Sequence, residues 1–126
     1  MITAKILNSD AILNNFKEIG SLDFVPGSEV KLVIRLHDSQ LDLRRVPAAA
    51  AVVKIFLNDT DGNEIEKTMT PLTDDRSILS VTLEESETET LLGGNFTIEE
   101  DVLGDGTQIK KGLVQNGLRR VVIGDC

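Results

Sequence analysis

Val30-Lys31-Leu32-Val33-Ile34-Arg35-Leu36-His37 sets apolar residues at 30, 32, 34 and 36 and polar ones at 31, 35 and 37. A period of two sends alternate side chains to opposite faces of a strand, so this stretch has one face for a core and one for water. The pattern recurs. Val53, Ile55 and Leu57 alternate with Lys54 and Asn58, and Leu79, Val81 and Leu83 alternate with Ser80 and Thr82. Three such segments at roughly twenty-residue intervals, with weaker strands between them, are what two antiparallel sheets need in order to hide their apolar faces against each other. The expected class is all-β.

The intervening segments carry turn chemistry. Pro26-Gly27 fits the central positions of a type II turn, because Pro presets one φ and Gly accepts a positive one; residues 24–28 thus deliver the chain into the strand from Glu29 to His37. The later residues of Ala48–Ala51 open the strand that runs to Asn58. Asn58-Asp59-Thr60-Asp61-Gly62-Asn63 predicts a hairpin between Leu57 and Ile65, with a returning strand carrying Ile65, Lys67 and Met69 and ending at Pro71, which has no N–H for a ladder. Asp74-Asp75 predicts the next turn, before the strand over 77–83. Residues 84–92 lose the alternation and run into Gly93-Gly94, which reads as a short helical turn capping one end of the fold with Leu91 and Leu92 facing inward. Strands are expected over 95–102, 107–114 and 118–123, joined by tight turns at Gly104-Asp105-Gly106 and Asn116-Gly117.

Residues 1–22 are expected to form an N-terminal arm or edge segment, and residues 23–126 the sandwich domain. Ile12, Leu13, Phe16 and Ile19 have helix-compatible spacing, whereas Asn14 and Asn15 disfavour a helix and Gly20 stops one. A short helix and an extended arm both fit.

A chain of 126 residues can bury a two-layer core without a staple. The single cysteine, Cys126, cannot supply one, and at the end of the chain it reads as a free thiol. The formal net charge of -8 opposes a phosphate backbone, so nucleic acid is not an expected partner. Lys110, Lys111, Arg119 and Arg120 cluster apart from the Glu-rich stretch 84–100, and they read as a docking surface or a solvated strand face. Asn8, Ser9 and Asp10 interrupt the first apolar residues before an export signal can form. No apolar run reaches the roughly eighteen residues of a membrane span.

Catalytic chemistry is thinly represented. His37, the sole histidine, neighbours Asp38, but adjacent strand residues point to opposite faces and do not pair. The loop 59–64 resembles part of a calcium loop; aligning Asp61-Gly62 with its fifth and sixth positions puts Leu57 and Thr68 at the first and twelfth, where Asp and Glu are needed, so a weak calcium site near Asp59 and Asp61 is left open and a plain turn fits better. The acidic stretch holding Glu84, Glu85, Glu87, Glu89, Glu99, Glu100 and Asp101 has the carboxylates for glycoside hydrolysis, yet the chain has no Trp, no Tyr and only four Phe to platform a sugar. Solvated acidic edges account for it. Gly104-Asp105-Gly106 lacks the third glycine and the helix of a phosphate-binding fingerprint.

The ordered series Phe24-Val25-Pro26-Gly27, the Lys31–Leu36 strand, Pro47-Ala48, the Val53–Leu57 strand with Asp61-Gly62, the Ser77–Leu83 strand, then Thr88, Leu91 and Gly94-Asn95-Phe96 resembles the immunoglobulin-like modules of bacteriophage virion proteins, such as baseplate upper proteins and fibre-attachment proteins. The likeness spans residues 24 to 100. It implies an immunoglobulin-like antiparallel β-sandwich with one short helical turn, acting as a structural, non-enzymatic virion protein: a tail, baseplate or fibre-attachment component. A capsid decoration or neck protein, or a cellular adhesion or binding module, is the alternative on the same fold. The implied partners are other virion proteins and copies of the chain itself, with no cofactor, metal, nucleic acid, membrane or small-molecule substrate. The implied location is the virion, after synthesis in a host cytoplasm. Candidate assembly contacts are Ile12, Leu13 and Phe16 in the arm and Arg119, Arg120, Val121, Val122 and Ile123 at the other end, the competing reading being that both ends pack on their own domain as edge strands.

Overall fold

The alternating segments become strands in a computed structural model that describes residues 2–7, 17–38, 43–44, 47, 51–72, 76–102 and 109–121. In chain order they are β1 (Ile2–Leu7), β2 (Glu18–Ile19), β3 (Leu22–Phe24), β4 (Val30–Asp38), β5 (Leu43–Arg44), β6 (Val52–Asn58), β7 (Glu64–Thr68), β8 (Thr70–Pro71), β9 (Ile78–Leu83), the helix α1 (Glu85–Thr90), β10 (Gly94–Asp101) and β11 (Ile109–Arg120). The first sheet runs β2-β1-β4-β9-β8, with β5 paired to one end of β4, and the second runs β3-β11-β10-β6-β7. Lettered along the chain, β1-β4-β9-β8 reproduces the A-B-E-D sheet of an immunoglobulin sandwich, and β11-β10-β6-β7 its G-F-C-C′ sheet. The fold is an immunoglobulin-like all-β sandwich.

The register puts the alternation to use. Leu32, Ile34 and Leu36 of β4 face Val53, Ile55 and Leu57 of β6 across a single apolar cluster that Leu79, Val81 and Leu83 of β9 and Phe96 and Ile98 of β10 complete. Phe24 and Phe96 are among its largest fully buried side chains. With one Cys and no Trp in the chain, aliphatic packing and these two rings take the place of the disulfide and tryptophan that often centre this fold.

Local turns follow the expected chemistry at two places. The Ser28 N–H donates to the Val25 carbonyl at 3.0 Å, with Gly27 at φ 82°, which is the type II turn around Pro26-Gly27. In the β6–β7 hairpin, Asp59 Oδ1 accepts from the Asp61 and Asn63 amides at 2.9 and 2.8 Å. The carboxylate of Asp59 is thus engaged in holding the turn.

Elsewhere the structure corrects the reading. Asn116-Gly117 does not reverse the chain: β11 runs through it, pairing Val114 with Phe96 and Leu118 with Gly94, so β11 carries two more residues than β10 over that interval. The tolerance for positive φ that suits Asn-Gly to a hairpin serves a bulge equally well, and Asn116 sits at φ 55° with its N–H on Asn95 Oδ1 at 2.8 Å. Gly117 also makes room for Phe96, whose Cε1 would lie 2.3 Å from an added Cβ. The strand returning from the hairpin stops at Thr68; Met69, buried in the core, carries the chain across, and Thr70–Pro71 joins the first sheet as an edge, where a missing N–H is tolerated. The helical turn is α1, but only Leu91 faces inward, Leu92 being 54% exposed. The expected boundary at 22/23 falls inside β3, with strands of the two sheets on both sides of it: β1 pairs along its whole length with β4, and β3 pairs in parallel with β11. The turns expected at 74–75 and 104–106 lie outside the described residues.

Two features close the sides of the sandwich. Where β1 of the first sheet passes β11 of the second, a Cβ on Gly112 would lie 1.7 Å from the Ile2 carbonyl oxygen, so only glycine allows the two backbones to approach. On the opposite side, Lys67 of the edge strand β7 pairs with Ile55 in register and therefore points inward. Its Nζ donates to the Thr82 carbonyl of β9 at 2.7 Å and to Glu87 Oε1 of α1 at 2.5 Å, clipping the two sheets together. Thr88, fully buried, docks the helix below: its Oγ1 donates to the Ser28 carbonyl at 2.8 Å and accepts from the Gly27 N–H at 3.1 Å.

Burial pushes the Glu87 carboxyl upward, but the Glu84 N–H that it accepts at 2.9 Å and the Lys67 ammonium outweigh that and hold its pKa below the ordinary 4.5. A carboxylate with a depressed folded pKa contributes stability above its unfolded value and loses it as pH falls through the folded one. Lys67→Met is therefore expected to lower the melting temperature at neutral pH, and the gap to the parent is expected to narrow as the pH is taken down through and below 4.5; thermal melts across that range read both effects. Gly112→Ala is expected to destabilise by about 3 kcal/mol or more, because backbone must move to admit the methyl. Gly20→Ala, with nothing within 4 Å of its added Cβ, is the matched control, and equilibrium denaturation compares them.

Candidate interaction surface

The two outer faces of the sandwich differ in what they leave uncovered. On the first sheet, Lys5, Glu18, Arg35 and His37 form a polar chain: Glu18 pairs with Arg35 through Oε1 and with Lys5 through Oε2 at 3.9 Å, and Arg35 Nε donates to His37 Nε2 at 3.0 Å. His37 lies on this face, as the alternation requires, but it is buried. Leu7, Val33 and Ile78 make a second buried apolar cluster on the same face.

The outer face of the second sheet is more open. Opposite partners share a face in antiparallel pairs, so the register builds two rows across the strands. One row is Leu113 of β11, Thr97 of β10, Phe56 of β6 and Glu66 of β7; the next is Lys111, Glu99, Lys54 and Thr68 in the same strand order. Leu113 is 46% exposed and Phe56 half-buried. A shallow depression of about 180 Å³ lies between Thr97, Lys111, Gly112 and Leu113, and its walls are almost wholly apolar. Glu99 pairs with Lys111 at 3.2 Å, its side chain only 15% exposed.

Of the sequence-derived contact residues, the structure describes three. Arg119 pairs with Asp23 at 3.2 Å across the parallel β3–β11 contact. Arg120 donates to the Leu91 carbonyl at 3.1 Å and the Glu89 carbonyl at 3.4 Å, placing a cation where α1 leaves acceptors unpaired. The Val121 N–H donates to the Phe24 carbonyl at 2.8 Å. All three are held by their own domain. Ile12, Leu13, Phe16, Val122 and Ile123 lie outside the described residues.

Among the described residues, no group of three or more His, Cys, Asp or Glu side chains converges as metal ligands, and no buried side-chain nitrogen or oxygen lacks a hydrogen-bond partner. Glu100, which turns inward and is fully buried, is among the satisfied groups. No helix among them is long and apolar enough to cross a membrane. The sequence reading passed over the face formed by Lys54, Phe56, Glu99, Lys111 and Leu113. Its signal was an aromatic residue, Phe56, on the polar side of an alternating strand; Leu113 carried none until the pairing of β11 with β10 fixed its face.

No family model matches the chain, and no curated protein matches it either. Solved structures similar to it include the Lin-41 filamin domain, at 18% identity over 92% of this chain and 91% of that one with a TM-score of 0.41. The RIG-5 IG1 homodimer is similar at 11% identity over 92% and 97% with a TM-score of 0.43. Strand order and register, rather than either likeness, carry the assignment of the fold.

Proposed function

We propose that the chain is a non-enzymatic protein-interaction module that binds through the outer face of its second sheet, and that its partners are proteins of a bacteriophage virion. The observation that carries the first part is Leu113, an aliphatic side chain left 46% exposed in the same row as Phe56 and beside an apolar depression. Apolar surface gathered on one face, with charged residues in the adjoining row, is the composition of a protein contact. Lys54 and Lys111 border it, and Glu66 ends the apolar row. The Arg119–Asp23 pair extends the same face toward β3. A virion setting is supported by the resemblance of residues 24–100 to phage immunoglobulin-like modules; Ile12, Leu13, Phe16, Val122 and Ile123 remain its proposed additional contacts.

A photoreactive residue at position 113, compared with one at Ser86 on α1, tests the surface in the producing cell. Protein adducts from position 113 and none from position 86 are expected; adducts from neither position would refute the surface. Mass spectrometry of purified particles tests the setting, and absence of the chain from them would remove it while leaving the surface standing.

A further inference from the structure

We propose that the occupant of this face is a second copy of the chain, docked about a twofold axis that runs along the strands between β6 and β10. The inference rests on the reading of the face as a binding surface and adds the identity of the partner. Its basis is that the middle strands of the face carry opposite charges in register. Across these two rows the order is β11-β10-β6-β7, β3 joining β11 only at Leu118–Arg120, so a twofold between the middle strands of the four lays β6 of one copy over β10 of the other, and β7 over β11. Lys54 and Glu99 are register partners on those middle strands. Each Lys54 then approaches the other copy's Glu99, which its own Lys111 already pairs at 3.2 Å, and the two crossings are equivalent, as an isologous interface requires.

Shape agrees with charge. Phe56 and Thr97 are likewise partners on β6 and β10, so the same rotation sets each Phe56 ring over the other copy's Thr97, beside the depression that Thr97, Lys111, Gly112 and Leu113 line. Lys111, its side chain 66% exposed, comes to lie near Glu66 of the facing β7, one row away. The two edges flanking these rows do not compete for the role. Lys67 turns inward on β7, and a charge there opposes the addition of another strand; β11 has β1 packed against it at Gly112.

Four strands about 4.8 Å apart, contributing about six residues each at about 3.3 Å, cover on the order of 400 Å² in plane. Summed over both copies that is about 800 Å², below the roughly 1,200 Å² at which standard specific interfaces begin, so the dimer is a weak, transient one, expected to dissociate at about 100 µM or above. Sedimentation velocity of the whole chain from about 10 µM to about 1 mM is the test. The parent is expected to shift from monomer toward dimer across the range. Lys54→Glu and Glu99→Lys, each alone, set like charges against each other at both crossings and are expected to stay monomeric. An equimolar mixture of the two restores opposite charges at both crossings, and dimer is expected to return.

Thermal melts establish that each variant is folded; should one of them not fold, Lys54→Gln and Leu113→Ser replace the reversal pair, each expected to weaken the dimer several-fold. A parent that remains monomeric throughout, or single reversals that dimerise as well as the parent, would overturn the proposal. In that event adducts from position 113 to a different protein would preserve the binding surface, whereas the absence of adducts would remove both.

Discussion

Neither sheet has an apolar inner face that it can keep dry alone, and the whole structure follows from their need to cover each other. Leu32, Ile34 and Leu36 on one side and Val53, Ile55 and Leu57 on the other occupy a common cluster with no disulfide between the layers. Small β assemblies usually need a second layer to be stable in water. Here that layer must be held at two sides as well as at its centre. Gly112 brings β11 against β1, and Lys67 ties β7 to β9 and α1. The chain itself makes a further link, crossing from the second sheet to the first at the buried Met69.

These closures decide where the molecule can meet another. A sandwich commonly offers two kinds of surface, the unpaired edge of a strand and the broad face of a sheet. One edge contains an inward lysine and another is packed against its neighbour, so strand addition is disfavoured at both. The face bearing Phe56 and Leu113 has no such protection. Of the C-terminal basic residues, which the sequence presents as a docking surface or a solvated strand face, Arg119 pairs with Asp23 and Arg120 with the helix end, while Lys111 stays exposed on the open face beside Glu99. A cluster of cations in sequence is thus distributed among a strand pair, a helix terminus and the open face.

Most strands were legible because burial of one face imposes a period of two; β6 obeys it closely, and β4 and β9 obey it apart from Val33 and Ile78, which are buried on the outer face. Ile2, Ala4 and Ile6 also alternate with Thr3 and Lys5, but six residues at the start of the chain do not disclose that they pair with β4; pairing is a long-range property. The Asn116-Gly117 error has a local cause. Its dihedral preference is the same in a turn and a bulge, and only Val114 and Leu118, each with a partner on β10, distinguish them. The face of the second sheet was legible by strand and not as a surface. Lys54, Phe56, Glu99 and Leu113 stand far apart in sequence and become neighbours only through register.

The parallel contact between β3 and β11 has a mechanical meaning. It joins segments near opposite ends of the chain, Leu22–Phe24 with Leu118–Arg120, and the Val121 N–H extends it to the Phe24 carbonyl. Because the strands run the same way, tension applied from before β3 and after β11 pulls them in opposite directions along their common axis. Their hydrogen bonds would then be loaded together in shear, not opened one after another. Under tension applied between those two points the sandwich would resist stretching at this short patch, with the Arg119–Asp23 pair spanning it.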